Sequence, residues 1–169
     1  MNHLAGSHVF LSLGSNLGER AVCLAAAREA LAALPGTSLL AASRVYQTEP
    51  QEHADQPQFL NQVVLLETDL PPHDLLAQCQ RIESEHGRRR GLRFGPRTLD
   101  IDILLFGSIQ SDDPELTLPH PRMVGRAFVL VPLAEIWGRA VGMPGLDVGA
   151  LAQAAARVQA VRLYDSAEE

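Results

Sequence analysis

The chain has 169 residues, of which 46% are hydrophobic, and carries a formal net charge of −6. This length fits one domain, and the acidic balance excludes a general binder of nucleic acid or anionic membrane. All fourteen basic residues are arginine, which excludes a phosphate-binding loop lysine, a Schiff-base lysine and a lysine nucleophile. Any bound phosphate must therefore be held by arginine, backbone or metal. We expect a single domain over 1–169.

The first third of the chain alternates strand and helix patterns. We expect residues 1–7 to be disordered and a short apolar strand to follow at His8–Leu13. Apolar residues at helical spacing predict a helix over Glu19–Leu34, which the Pro-Gly pair at 35–36 ends. A second strand is predicted at Ser38–Gln47.

The turn GSNLGER joins the first strand to the first helix. Its glycine and asparagine allow turn geometry, and the side chain of Ser15 or Asn16 can cap the helix. A helix start can also bind phosphate. We favour the capping interpretation.

The rest of the chain continues this alternation. A polar, proline-punctuated loop, TEPQEHADQPQ, is long enough to suggest a binding role. The later patterns predict a strand at Phe59–Thr68, a helix at Asp74–His86, a strand at Thr98–Phe106, a helix within Pro121–Ile136 and a last helix at Val148–Val158. The order βαββαβ predicts a ferredoxin-like α+β fold: an antiparallel sheet with helices packed on one face, plus an extra C-terminal helix.

Cysteine usage and the N-terminus bear on location. Cys23 and Cys79 lie far apart in predicted helices and have neither metal-ligand nor redox spacing, so we expect reduced core thiols. The N-terminus lacks a basic start before a long apolar run, and no run of about 18 apolar residues exists. We therefore expect a cytoplasmic monomer that does not associate with membranes or nucleic acid.

The segment TLDIDILLF places two carboxylates on one face of a strand. Because side chains alternate, Asp100 and Asp102 point the same way, about 6 to 7 Å apart at their Cα atoms. Without a cation they repel, and a divalent metal removes that conflict. Mg²⁺ prefers oxygen ligands, few of them from protein, and takes the others from water and substrate phosphates. A bare DxD is more often a solvated or arginine-paired face, so the motif needs support from its neighbours.

Five arginines stand directly upstream of these aspartates: Arg88, Arg89, Arg90, Arg93 and Arg97. Guanidinium groups on a glycine-separated loop can close over metal-bound phosphate. Metal and arginine together neutralise the charge that spreads over a transferred phosphoryl group. The alternatives, a solvated basic turn or an RNA-phosphate patch, are weaker because the aspartates follow. The segment therefore predicts metal-dependent phosphoryl transfer.

Five blocks of the sequence stand in a recognisable order: GSNLGER, FLNQVVLLET, QRIESEHGR, RFGPRTLDIDILLFG and LPHPRMVGRAFVLVPLAEI. Together they resemble the 6-hydroxymethyl-7,8-dihydropterin pyrophosphokinase family of folate biosynthesis. The resemblance covers roughly residues 9–137, and GPRTLDIDILLFG is its most specific block. It implies transfer of the β,γ-diphosphate of ATP to the hydroxymethyl group of the reduced pterin, with two Mg²⁺ ions, giving AMP and the pterin diphosphate.

The resemblance also implies roles by position. Asp100 and Asp102 are expected to bind metal and act in catalysis, and Arg88 and Arg97 to engage the transferring phosphates. The expected ATP-binding residues are Gln80, Glu83, Arg88, Arg97, His120 and Arg126. The expected pterin-binding residues are Thr48, Phe59, Asn61, Phe94, Asp100 and Phe128.

The pterin residues make chemical sense because a pterin is flat, apolar on its faces and polar at its edge. The Asn61 amide offers a donor and an acceptor together. Phe59 and Phe94 stand where some members have tyrosine and tryptophan, which preserves stacking and removes a hydrogen-bonding group. Arg122 is the less certain arginine near the ATP residues and is expected to be solvated. Which loop arginine reaches which phosphate is open.

Two other function classes remain at this point. A small RNA-binding module of the same architecture predicts paired aromatics on its sheet and a basic chain. A metal-dependent transferase with another acceptor shares the aspartates and arginines and differs in the acceptor pocket. The acidic charge argues against the first, and Asn61 with its phenylalanines argues against the second.

Overall fold

The computed structural model describes residues 6–16, 19–48, 58–86 and 99–165. The strands in these ranges are β1 (Ser7–Ser15), β2 (Thr37–Ala42), β3 (Tyr46–Thr48), β4 (Phe59–Thr68), β5 (Asp100–Phe106), β6 (Ser111–Asp113), β7 (Leu116–Leu118) and β8 (Val161–Leu163). The α-helices are α1 (Arg20–Ala32), α2 (Pro72–His86), α3 (Ala127–Ile136) and α4 (Val148–Ala156).

The main sheet is antiparallel, with strand order β5-β1-β4-β3-β8, and β2 also pairs with β4. β1 and β4 pair along the whole of β1, from Ser7 opposite Thr68 to Ser15 opposite Leu60. Ser7 therefore lies in the sheet and not in the disordered end predicted for 1–7. β6 and β7 form a separate hairpin.

Helices cover both faces of this sheet. On the first face, α1 and α2 pack over a core that includes Val9, Leu11, Val64, Leu66 and Ile103. On the second face, α3 packs over Phe10, Val63, Leu65, Leu104 and Leu105. α4 packs on α3 through Ala127, Leu130, Ala152 and Ala155. The prediction that helices occupy one face is wrong for α3, because the central strands are apolar at both odd and even positions and both faces need cover.

The strand predicted at Ser38–Gln47 is divided into β2 and β3 at Ser43. The Ser43 hydroxyl accepts a hydrogen bond from Val63 N–H at 3.0 Å, in the place of a backbone carbonyl, while the Ser43 carbonyl accepts from the Gln62 side chain. Because a side-chain hydroxyl takes the place of the carbonyl at Ser43, the hydrogen-bond ladder along β4 is interrupted there. β2 pairs with β4 before this break and β3 pairs with β4 after it.

The remaining predictions concern cysteines and membranes. Cys23 and Cys79 are both buried free thiols, as predicted. No helix in the described ranges is long and apolar enough to cross a membrane.

Candidate functional site

Four strands contribute one row of residues to the second face. Strand register pairs Asp100 with Gly14, Gly14 with Asn61, and Asn61 with Tyr46. Because neighbouring strands lie about 4.8 Å apart, Asp100 and Asn61 flank Gly14 at a Cα separation of about 10 Å. A Cβ atom at Gly14 would stand only 3.3 Å from Asn61 Oδ1. The row therefore places a carboxylate and an amide on either side of a residue that has no side chain, Gly14.

Asn61 is held by its neighbour on β3. It is buried, and its Nδ2 donates to Thr48 Oγ1 at 2.9 Å. Thr48 is the register partner of Phe59, which lies two residues before Asn61 and so on the same face of β4. The structure thus brings together three of the residues predicted to bind the pterin.

Two more predicted residues come from the start of α3. Phe128, in its first turn, packs against the core of the second face, the face that carries Asn61 and Asp100. The guanidinium carbon of Arg126 lies 5.4 Å from the centroid of the Phe128 ring, a cation–π distance. An aromatic ring and an arginine therefore stand together at the start of α3, and the ring packs on the same face of the sheet as the polar row.

His120 lies close enough to Asp102, Arg126 and Arg122 for their charges to affect its pKa. Burial lowers the pKa of His120, the Asp102 carboxylate opposes this shift, and the guanidinium groups of Arg126 and Arg122 lower the pKa further. The backbone N–H of Arg122 donates to His120 Nδ1 at 3.2 Å. The proton of the neutral ring therefore lies on Nε2, where it can be donated to an anionic ligand.

Glu83 reaches the site from the other side of the sheet. It is a buried residue of α2, and its Oε2 accepts a hydrogen bond from Ile101 N–H at 3.0 Å. Ile101 stands between the two aspartates on β5, so Glu83 fixes the backbone that carries both carboxylates. Cys79, also on α2, is buried as well. Its burial raises the pKa of its thiol to about 12, and the charges of Glu83 and Asp102 add to the shift.

The two aspartates fit a magnesium site that substrate completes. Asp100 and Asp102 project from the same face of β5, since Ile101 and Ile103 face the core of α1 and α2. Asp102 is exposed and Asp100 is half-buried. Among the described residues, no group of three or more His, Cys, Asp or Glu side chains could hold a metal ion. Two carboxylates with open positions suit Mg²⁺, which retains water and binds substrate phosphates.

The remaining predicted site residues lie either on α2 or outside the residues that the structure describes. Gln80 is exposed on α2, and the structure does not bring it onto the second face. Arg122 is exposed, as expected. The predicted residues Arg88, Arg97 and Phe94 lie outside the described residues, so their roles stay predictions. The same is true of Arg89, Arg90 and Arg93.

The predicted helix cap is wrong. Ser15 ends β1, and Glu19 occupies the N-cap position of α1 without a side-chain capping bond. Ser15 lies four positions before Glu19 and so does not occupy the cap position of α1. Within the described part of the chain, the Asn16 amide is buried and neither of its polar atoms has a hydrogen-bond partner. It stands two residues after Gly14, at the end of β1.

Sequence reasoning missed Gly14 and Tyr46. GSNLGER was interpreted as a turn, whereas Gly14 lies within β1. A glycine at the end of an apolar strand pattern can mark a close approach of backbone to a ligand, which was the available signal. Tyr46 donates through its hydroxyl to Glu135 of α3 at 2.8 Å, and sequence gave no sign of this contact.

Comparison with known proteins agrees with the sequence resemblance. Residues 10–138 match the family model described as 7,8-dihydro-6-hydroxymethylpterin-pyrophosphokinase (HPPK). A 2-amino-4-hydroxy-6-hydroxymethyldihydropteridine pyrophosphokinase of Pseudomonas aeruginosa is 52% identical over 128 residues, which are 76% of this chain and 79% of the relative. The enzyme of the same name from Bacillus subtilis is 45% identical over 136 residues, 80% of this chain and 79% of the relative.

Solved structures support the fold. A crystal structure of a Plasmodium falciparum HPPK-DHPS triple mutant aligns with a TM-score of 0.69 at 14% identity, covering 88% of this chain and 44% of that one. At this identity the likeness concerns the fold alone. The family model spans most of the chain, and relatives match it at high identity over three quarters of its length. The chain belongs to the 7,8-dihydro-6-hydroxymethylpterin-pyrophosphokinase family.

Proposed function

We propose that this chain transfers the β,γ-diphosphate of ATP as a unit to the hydroxymethyl oxygen of 6-hydroxymethyl-7,8-dihydropterin, giving AMP and the pterin diphosphate. ATP-dependent pyrophosphoryl transfer in folate synthesis is the activity of its family. The observation that carries the proposal for this chain is the row Asp100, Gly14 and Asn61, which lies on the same face of the sheet as Phe128.

The acceptor lies, in this proposal, against the bare backbone of Gly14. Asn61 holds the polar edge of the pterin, and its hydrogen bond to Thr48 fixes the amide plane. Phe59 and Phe128 supply ring faces for stacking. The hydroxymethyl group then points along the row toward Asp100, so that acceptor oxygen and metal-binding carboxylates meet.

Two Mg²⁺ ions are proposed to bind Asp100 and Asp102. When bound, they neutralise the transferring phosphates and favour the alkoxide-like form of the acceptor oxygen. The protein's own part is to hold both carboxylates on one face, and the Glu83 bond to Ile101 N–H keeps that strand in register. Glu83 and Gln80 remain proposed ATP-side residues.

The triphosphate is proposed to lie between Asp102 and the start of α3. There His120 Nε2–H donates to a phosphate oxygen, and Arg126 adds a positive charge beside it. Arg88 and Arg97 are proposed as the catalytic arginines that stabilise charge on AMP and on the diphosphate. Positioning of the two substrates, rather than a single proton acceptor, supplies much of the rate in this scheme.

Three finer points belong to the same proposal. The strand order and the helices α1 and α2 suit a ferredoxin-like core to which α3, α4 and β8 are added. The chain acts as a cytoplasmic monomer. The RNA-binding alternative requires an open sheet face, whereas helices pack over both faces here.

The test is AMP release from ATP and Mg²⁺, with and without the pterin. The proposal expects AMP only when the pterin is present. Asp102→Asn should lower the rate by at least about 100-fold, because a metal ligand is lost. Asp112→Asn, an exposed aspartate of β6, is the matched control and should keep full activity. Release of ADP, or AMP without pterin, would refute the proposed acceptor.

A further inference from the structure

Gln159 lies in the turn after α4, outside residues 10–138 that match the family model. Its side-chain amide reaches the start of α3, 32 residues earlier in the chain. Nε2 donates to the carbonyl of Gly125 at 2.7 Å, and Oε1 accepts from the backbone N–H of Ala127 at 2.9 Å. Both hydrogen-bonding groups of one amide are therefore used on one short stretch of backbone.

These two backbone groups bracket Arg126. The first N–H groups of a helix have no partner within the helix, and α3 has no side-chain cap from Arg126 at its N-cap position. Gln159 supplies the missing acceptor from another part of the chain. Arg126, which these two bonds enclose, carries the guanidinium group near His120, and two positions later Phe128 packs on the second face of the sheet.

The segment around Gln159 also contacts β3, the strand that carries Thr48. β8 follows it directly and pairs with β3, with Val161 opposite Thr48. The backbone N–H of Tyr164 donates to the Val45 carbonyl at 2.9 Å. Thr48 in turn accepts from Asn61. The C-terminal segment therefore contacts β3, whose Thr48 is hydrogen-bonded to Asn61, and also the backbone on each side of Arg126.

We propose that Gln159 is a positioning residue for both substrates: its amide sets Arg126 and Phe128 at the correct distance from Asp102 and Asn61. The inference rests on the proposed function, since it assigns those residues to ATP and pterin. Loss of the amide frees the backbone on each side of Arg126, so both side chains lose their fixed place. Binding of ATP and of pterin weakens, whereas the metal-binding carboxylates on β5 stay where they are.

The test compares Gln159→Met, which keeps the side-chain length and removes both hydrogen bonds, with Gln153→Met. Gln153 is an exposed residue of α4 and serves as the control for an added methionine. We expect Gln159→Met to raise the KM for pterin and for ATP by about tenfold each, the effect of one or two lost hydrogen bonds, with kcat little changed. Gln153→Met should match the wild type.

A merely structural role gives a different result. In that case the melting temperature and the apparent kcat fall together, because less enzyme is folded, while both KM values stay at the wild-type level. That outcome, or an unchanged enzyme, overturns the inference. If Gln159→Met does not fold, Gln159→Glu keeps the acceptor for Ala127 and loses the donor to Gly125; unchanged KM values in this variant would also overturn it. The wild type is assayed first, and absence of pterin diphosphate there refutes the proposed function instead.

Discussion

At the scale of single residues, the site depends on a position without a side chain. The backbone of Gly14 has no positive φ, so alanine is compatible with its conformation. A Cβ there would stand 3.3 Å from Asn61 Oδ1, and the amide would have to shift by a few tenths of an ångström. That shift strains the bond to Thr48 and occupies the space proposed for the pterin.

Gly14→Ala should therefore raise the KM for pterin severalfold and leave the KM for ATP unchanged. The measurement is steady-state kinetics with each substrate varied in turn. Gly138→Ala is the matched control, since a Cβ at Gly138 meets nothing within 4 Å. Equal KM values for pterin in Gly14→Ala and the wild type would show that the ring does not lie on this backbone.

The two cysteines give a pH prediction at the same scale. Burial raises the pKa of Cys79 to about 12 and also raises the pKa of Cys23. Only the thiolate reacts with an alkylating agent, and a group with a raised pKa stays protonated as pH rises through the ordinary value of 9.0. The folded protein should thus resist iodoacetamide at about pH 9.5, and both thiols should react in denaturant. Rapid labelling of Cys79 without denaturant would contradict the buried position found here.

At the scale of elements, a polar contact joins β3 to α3 across the second face. Glu135 accepts from Tyr46 Oη at 2.8 Å and from Arg44 Nε at 2.6 Å. Removing the carboxylate leaves the largely buried Tyr46 hydroxyl without this acceptor. Glu135→Ala should lower the free energy of unfolding by about 1 to 2 kcal/mol.

Urea denaturation followed by tryptophan fluorescence measures this change. The single tryptophan, Trp137, stacks on Phe10 at 5.4 Å between ring centroids and so reports on the packing of the second face. Glu29→Ala, an exposed glutamate of α1, should leave stability almost unchanged. Equal stability of the two variants would mean that the contact does not hold β3 to α3.

Elements with a strong local pattern could be predicted from sequence, and those decided by tertiary contacts could not. The segment Phe59–Thr68 is rich in apolar and β-branched residues, and the bounds predicted for β4 are those of the structure. The break at Ser43 depends on a hydroxyl that replaces a carbonyl in the ladder, which no pattern reveals. β8 has only three residues, two of them exposed, and it forms because β3 offers a free edge.

At the scale of the whole molecule, the main error concerned the second face of the sheet. Runs such as QVVLLE and IDILLF are apolar at consecutive positions, which is typical of strands buried on both sides. We predicted a single layer of helices despite this pattern, whereas α3 forms a second layer on the other face of the sheet. The aspartate pair was predictable because alternation in a strand is local. Gln159 and Glu83 act through contacts between distant segments, and local sequence gave no indication of these.

The proposed function requires that the β- and γ-phosphates of ATP move together onto the pterin. The most direct measurement is mass spectrometry of the pterin after reaction with Mg²⁺ and ATP that carries ¹⁸O in its γ-phosphate. Transfer of the intact diphosphate should give a pterin that gains two phosphates, including the labelled one, in a one-to-one ratio with AMP. A pterin that gains one phosphate alongside ADP, or an unmodified pterin with labelled free phosphate, would contradict it.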